Sequence, residues 1–262
     1  MFADVLNDLV MSVELLAPAL PRHLVLPLLC LTGLGRSLVG VAGGATKAAV
    51  AQHQARRNNM ADLAAKDGSQ ETLVNLLGLC VNLVVLPLVT GTQYLPFIIF
   101  ILLATLHVYC NYRAVSCLVI KTLNTARLHI LLDRLAVATQ GEVSTPHQVN
   151  RMEPVMRPFR NNVNIQLGVS LSTVEKEDVE RVKSCIAGED PYCILHKQSG
   201  QYVLISETAT PRNIYQAYVK CYLYEKNIRA SVPDILKDME TKGWDLSSLA
   251  LVSKGYLLKL DR

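Results

Sequence analysis

The sequence is short of charge. Asp, Glu, Lys and Arg make up only 18% of its 262 residues, against about 25% in an ordinary soluble domain. The deficit is local, because none of the four occurs between residue 73 and residue 112. A soluble core cannot easily hide so long an apolar stretch, whereas a bilayer can. Cysteine is sparse and unpatterned: there are seven, with no Cys-x-x-Cys pair, which excludes a disulfide framework and a zinc site of the usual spacing. The six histidines stand far apart, so no metal site is expected. With a net charge of +4 and scattered basic residues, no nucleic-acid face is expected either, and the short run Gln52-His53-Gln54-Ala55-Arg56-Arg57 does not make one.

Catalytic signatures are missing as well. The pair Gly33 and Gly35 would need a Gly or Ala at position 38 to complete a dinucleotide fingerprint, and finds Leu38. Gly43-Gly44-Ala45-Thr46-Lys47 lacks the spacing of a phosphate-binding loop, and there is no Gly-x-Ser-x-Gly elbow. The expectation is a protein that is not an enzyme. The opening Met1-Phe2-Ala3-Asp4 is acidic where a secretory signal would be basic.

What is present is hydrophobic periodicity. Residues 2–17 read as an amphipathic or membrane-seated helix stopped by Pro18, with Asp4, Asp8, Met11 and Leu15 on one face. A second apolar stretch, 24–46, is interrupted by Arg36. An arginine at mid-span costs roughly 2.5–3.5 kcal/mol, so Arg36 is expected near an interface, facing the protein interior, or at a helix break. Gly40 and Gly44 have the spacing that lets membrane helices approach closely. Polar residues up to Lys66 and a turn at Asp67-Gly68-Ser69 precede an almost wholly apolar run, 73–89. At about 1.5 Å per residue that run nearly crosses a ~30 Å hydrocarbon core. A turn at 90–93 and a returning helix, 95–112, complete a transmembrane hairpin. Lys and Arg lie on both flanks of it and none in its turn, so the turn faces away from the cytosolic side. The stripes Glu71, Asn75, Gly78, Asn82 and Ala104, His107, Asn111 face each other by depth. They read either as an interhelical hydrogen-bond clamp or as a proton or substrate relay.

Residues 113–135 continue as an amphipathic helix, and Pro146, Pro154 and Pro158 mark 136–165 as a linker. Beyond it a hairpin (192–196 and 201–206), helices from Pro211 and from Pro233, and a strand at 249–260 describe a soluble unit. The fold expected is therefore a mainly α membrane protein, a helical bundle with a transmembrane hairpin, plus a small C-terminal α+β domain. Its expected divisions are a helical membrane domain at 1–135, a linker at 136–165 and a soluble domain at 166–262.

One polar segment stands apart. Lys47, Arg56, Arg57, Asn58, Asn59 and Asp62 crowd together just before the hairpin. They read either as a solvated helix whose cations touch lipid headgroups, or as a pocket for an anionic or phosphorylated small molecule, since Arg forks match phosphate and Lys adds a point charge. Helical spacing separates Arg56 from Arg57 by about 100°, so the pocket needs a break at Gly43-Gly44 to fold Lys47 back.

Several stretches resemble the root UV-B sensitive (RUS) family. They are Phe2-Ala3-Asp4-Val5-Leu6-Asn7-Asp8, Val41-Ala42-Gly43-Gly44-Ala45-Thr46, His53 through Asp62, Ala65 through Thr72, Asn111-Tyr112-Arg113-Ala114-Val115, and Asn150-Arg151-Met152-Glu153-Pro154. The resemblance covers about residues 1–160. It implies a membrane-associated protein tied to vitamin B6 homeostasis, UV-B tolerance and seedling development, with plastid location for some members and no catalytic residues to carry over. Family members usually have a segment upstream of the position of Met1, so a shortened chain is expected. The expected role is binding of a small ligand or scaffolding of a partner, either a family member or another membrane protein, in a lipid bilayer whose organelle is not specified. The alternative is a small-molecule transporter or transport accessory that uses the polar stripes. No cofactor is indicated.

Overall fold

The computed structural model describes residues 1–55, 59–89, 91–92, 94–137, 142–155 and 163–258. They form two compact units, Met1–Cys117 and Leu118–Arg262.

The first unit is all helix: α1 (Phe2–Leu15), α2 (Arg22–Gln54), α3 (Met60–Val89) and α4 (Leu95–Ser116). By length and composition α2, α3 and α4 are each able to cross a membrane. None of the described residues of α3 or α4 is buried against protein. Two expected breaks are absent. Helix α2 runs straight through Gly43 and Gly44, and α3 runs through Asp67-Gly68-Ser69. Ser69 and Thr72 fold their hydroxyls back onto the carbonyls of Ala65 and Gly68, both at 2.8 Å, so both are satisfied inside the helix. Among the described residues no helix of this chain approaches Gly40 or Gly44, where a side chain would meet open space. The close approach is at Gly35, where a Cβ would come within 2.6 Å of Val10, the buried residue of α1.

The second unit is α+β. Its elements are β1 (Thr122–Asn124), α5 (Thr125–Val137), α6 (Pro146–Met152), β2 (Ile165–Leu167), α7 (Val179–Ala187), β3 (Tyr192–Lys197), β4 (Gly200–Ile205), α8 (Pro211–Glu225), α9 (Val232–Thr241) and β5 (Asp245–Ala250). The expected hairpin is there: β3 and β4 pair antiparallel, with Tyr192 opposite Ile205 and Lys197 opposite Gly200. Gly200, at φ +139°, is packed so tightly against Asn164 that a side chain would collide with it. Strand β2 pairs parallel to β4, giving the order β2-β4-β3, and β1 pairs parallel to β5 in a separate ribbon. Among the described residues the last strand sits at 245–250, because Trp244 is buried and brings Asp245 beside Lys121, whose carbonyl accepts the Asp245 N–H at 3.0 Å. Within the expected 249–260 only isolated bridges at Ser253 and Leu258 follow, and residues 259–260 lie outside the described residues.

The expected boundary near residue 135 is displaced. The helix expected over 113–135 is broken after Ser116, and its second half belongs to the C-terminal core. Leu123, Leu128, Leu131 and Leu132 are almost wholly buried there, against α8 and α9 residues such as Tyr222 and Met239. The residue expected to lie in a linker, Val149, is fully buried on α6, whose start carries a complete Thr145/Gln148 capping box. The motif Asn150…Glu153 explains how this segment is pinned. Asn150 accepts the Ile120 N–H at 3.1 Å and donates to the Ile120 carbonyl at 2.9 Å. Glu153 takes the buried Arg127 guanidinium at 2.7 Å and Asn124 at 2.9 Å.

Candidate functional site

In the helical unit the acids of α1 decide how the helices meet. Val10 and Glu14, one turn apart, face Thr32, Gly35 and Arg36 of α2, and the Arg36 Nε donates to Glu14 at 3.0 Å. Arg36 therefore faces the protein, the second of its three expected positions. On the neighbouring stripe, Asp8 lies 3.0 Å from His107 Nδ1, and Asp4 is approached by Asn111. These pairs cross in opposite order, 4 with 111 and 8 with 107, as antiparallel helices demand. Both polar stripes were visible in the sequence, but among the described residues the clamp joins α4 to α1, not to α3. Asn75 and Asn82 point outward.

Lys47, first of the expected anion ligands, is held between helices α2 and α3 by two carboxylates, Glu71 at 2.7 Å and Asp67 at 2.9 Å. Its neighbourhood is acidic, so it is a strut rather than an open cation. Arg56, Arg57 and Asn58 lie outside the described residues. Asn59 precedes α3 and its carbonyl accepts the Leu63 N–H at 3.1 Å, while Asp62 sits in the first turn, favourable to the helix dipole.

The C-terminal unit holds two further clusters. One is internal. His129 and Asp133 of α5 meet Tyr218 and Tyr222 of α8, again four residues apart on each helix. His129 Nε2 is 2.6 Å from the Tyr218 hydroxyl, and the Tyr222 hydroxyl donates to Asp133. Burial holds the His129 imidazole below its ordinary range and, with Asp133 beside it, pushes the Tyr222 phenol up. This cluster joins the two helices. The thiols are similarly passive: burial pushes Cys193 and Cys221 up to about 12, far from the range of a reactive cysteine.

The other cluster is open. A cleft of about 340 Å³ crosses β3, the terminal strand of its sheet, from α7 to α8. Each element contributes by its own period: Arg181 and Cys185 four apart on α7, Tyr192, Ile194 and His196 two apart on β3, Lys220 and Tyr224 four apart on α8. The Lys220 ammonium sits 5.1 Å above the Tyr192 ring centre, and the His196 and Tyr224 rings stack at 4.0 Å with a 30° tilt. The imidazole is fixed from behind. Buried Gln201 donates to Glu225 at 3.0 Å, so its carbonyl accepts from His196 Nδ1, leaving Nε2 as the free ring nitrogen. Neither Arg181 nor Lys220 has an ion-pair partner among the described residues. Sequence reasoning missed this cleft, although the three spacings were there to read.

Comparisons with known proteins align with this architecture. Residues 1–138 match the family model described as "Vitamin B6 photo-protection and homoeostasis domain", and residues 142–242 match "Root UVB sensitive protein, C-terminal". Helix α5 thus lies in the first family segment while packing into the second unit. Similar curated proteins include RUS family member 1 of Dictyostelium discoideum, 37% identical over 69% of this chain and 34% of that protein. Protein root UVB sensitive 3 of Arabidopsis thaliana is 32% identical over 83% of this chain and 52% of its own length. Protein root UVB sensitive 2, chloroplastic, also of Arabidopsis thaliana, is 26% identical over the same shares. The chain thus spans between a third and about half of the length of these relatives. No solved structure matches it. With family models covering both of its units, the chain belongs to the root UVB sensitive family, whose N-terminal domain is linked to vitamin B6 photo-protection and homoeostasis.

Proposed function

We propose that the protein is an integral membrane protein that acts by binding: it holds a small ligand and scaffolds a partner membrane protein, a second copy or another family member, in vitamin B6 homoeostasis. The observation that carries this reading is the surface of α3 and α4. Both are apolar along most of their length and neither buries a described residue, which leaves wide faces for lipid and for other helices. The burial of the Cys193 and Cys221 thiols and the engagement of His129 with Tyr218 give these groups structural roles. The test is native mass spectrometry of the full chain in nanodiscs. A co-purifying membrane partner and a retained small molecule are expected. A bare monomer that turns over a B6 vitamer would overturn the reading.

A second reading, transport of a small molecule, is favoured by one observation: Asp8 and His107 form a carboxylate–imidazole pair between helices of the apolar unit. Flux of pyridoxine into liposomes carrying the protein, lost in Asp8→Asn, is the outcome expected of a transporter. Equal flux into empty liposomes would remove this reading.

A further inference from the structure

The cleft across β3 differs from the Lys47 region in one decisive respect. Lys47 is neutralised by two carboxylates, whereas Arg181 and Lys220 are cations without an acid partner among the described residues. Two carboxylates lie near the cleft: Glu225, which accepts from Gln201, and Asp190, whose N–H donates to the Cys185 carbonyl at 3.0 Å. An unneutralised pair of cations at a concave site favours an anion, and an arginine with a lysine suits phosphate in particular. Of the five remaining lining residues three are aromatic, Tyr192, His196 and Tyr224, beside Cys185 and Ile194. The His196–Tyr224 stack gives a flat π surface, on which a planar ring gains dispersion and stacking energy, while the Tyr192 face is taken by the Lys220 ammonium. With Nδ1–H donated to the Gln201 carbonyl, an unprotonated Nε2 accepts a hydrogen bond from a ligand hydroxyl or ring N–H. A volume of about 340 Å³ lies at the small end of ligand sites and suits one ring with one phosphate.

We propose that this cleft binds a phosphorylated planar heteroaromatic molecule, its phosphate held by Arg181 and Lys220 and its ring placed against His196 and Tyr224. The proposal rests on the binding reading above and names its ligand class and its site. Pyridoxine 5′-phosphate is the probe that follows from the family's link to vitamin B6. It has no aldehyde, so it cannot condense with a lysine and mimic specific binding.

The experiment is equilibrium dialysis on the full chain in nanodiscs of neutral lipid, with pyridoxine 5′-phosphate, pyridoxine, inorganic phosphate and adenosine 5′-monophosphate as probes. Saturable binding of pyridoxine 5′-phosphate is expected, with pyridoxine and inorganic phosphate each at least tenfold weaker. Arg181→Gln and Lys220→Gln should each weaken it about tenfold or more, and Tyr224→Ala several-fold. Lys183→Gln removes the same charge from α7 but from a lysine already paired to Glu180 at 2.9 Å, and should leave binding unchanged. Equal loss in all three charge variants would mean diffuse attraction and overturn the proposal. Binding that survives both Arg181→Gln and Lys220→Gln would also overturn it, while leaving a B6 ligand elsewhere in the protein. Adenosine 5′-monophosphate binding with the expected variant pattern, in place of pyridoxine 5′-phosphate, would uphold the cleft and count against the vitamin B6 reading. Binding of no phosphorylated ring, with an acidic peptide taken up instead along the open strand, would overturn it.

Discussion

A fragment beginning at residue 166, where the composition turns soluble, should fail to fold, whereas one beginning at residue 118 should fold. The shorter fragment lacks β1, α5 and α6, and with them Leu123, Leu128, Leu131 and Leu132, whose exposures are 0, 0, 0 and 1%. Burying a leucine contributes about 1.5–3 kcal/mol, so four contribute roughly 6–12 kcal/mol. That matches the whole stability of a typical domain, about 5–15 kcal/mol. Polar losses add to it. Tyr222 would lose Asp133, Tyr215 would lose the Leu123 carbonyl at 2.8 Å, and Trp244 would lose the Ser144 carbonyl at 2.9 Å. Within the 118–262 fragment, Leu131→Ala should cost about 2–5 kcal/mol and lower Tm by roughly 6–20 °C. The assay is a thermal melt followed by circular dichroism, with a proton–nitrogen correlation spectrum of each fragment. If the 166–262 fragment gave a dispersed spectrum and melted with the same midpoint as 118–262, the α5 packing described above would be refuted.

Other expectations follow from single contacts. His129 is held below its ordinary value of 6.5, chiefly by burial, so the unfolded chain takes up a proton that the folded chain refuses. Stability of the 118–262 fragment should therefore fall as pH drops below about 6.5, and His129→Gln should flatten that slope in urea melts recorded from pH 5 to 8. In the full chain, Glu14→Arg and Arg36→Glu should each lower the melting temperature in detergent, and the double exchange should recover most of the loss; no recovery would mean that the two residues do not act as a pair. Arg127→Met should destabilise the C-terminal unit by up to about 3 kcal/mol, because it strands the Glu153 carboxylate in a partly buried site. Single cysteines, Thr92→Cys and Gln148→Cys, in a background without native cysteine should react with an impermeant thiol reagent from opposite sides of a sealed vesicle; labelling from one side would sink the transmembrane hairpin.

Residue chemistry alone settled the parts of this protein that depend on local or solvent-scale physics. The absence of charge over 73–112 marks two long apolar helices whatever their neighbours, because the cost of burying charge in hydrocarbon does not depend on which helix lies alongside. The β3–β4 hairpin and the starts of α8 and α9 were equally legible, since Lys197-Gln198-Ser199-Gly200 and the prolines at 211 and 233 act within a few residues. Partner choice was not. The stripes Asp4–Asp8 and His107–Asn111 were each visible, but a one-dimensional reading pairs neighbours in the chain and matched α4 with α3. Only tertiary packing brings His107 to Asp8, 99 residues away. The same limit hid the role of α5, whose amphipathic pattern shows an apolar face but not that the tyrosines of α8 close over it. It also concealed the cleft, where spacings of four, two and four on three separate elements carry no joint signal until β3 lies between α7 and α8. Periodicity fixes which face a side chain occupies; which face meets which is decided by long-range burial and charge pairing, and these exist only in the folded chain.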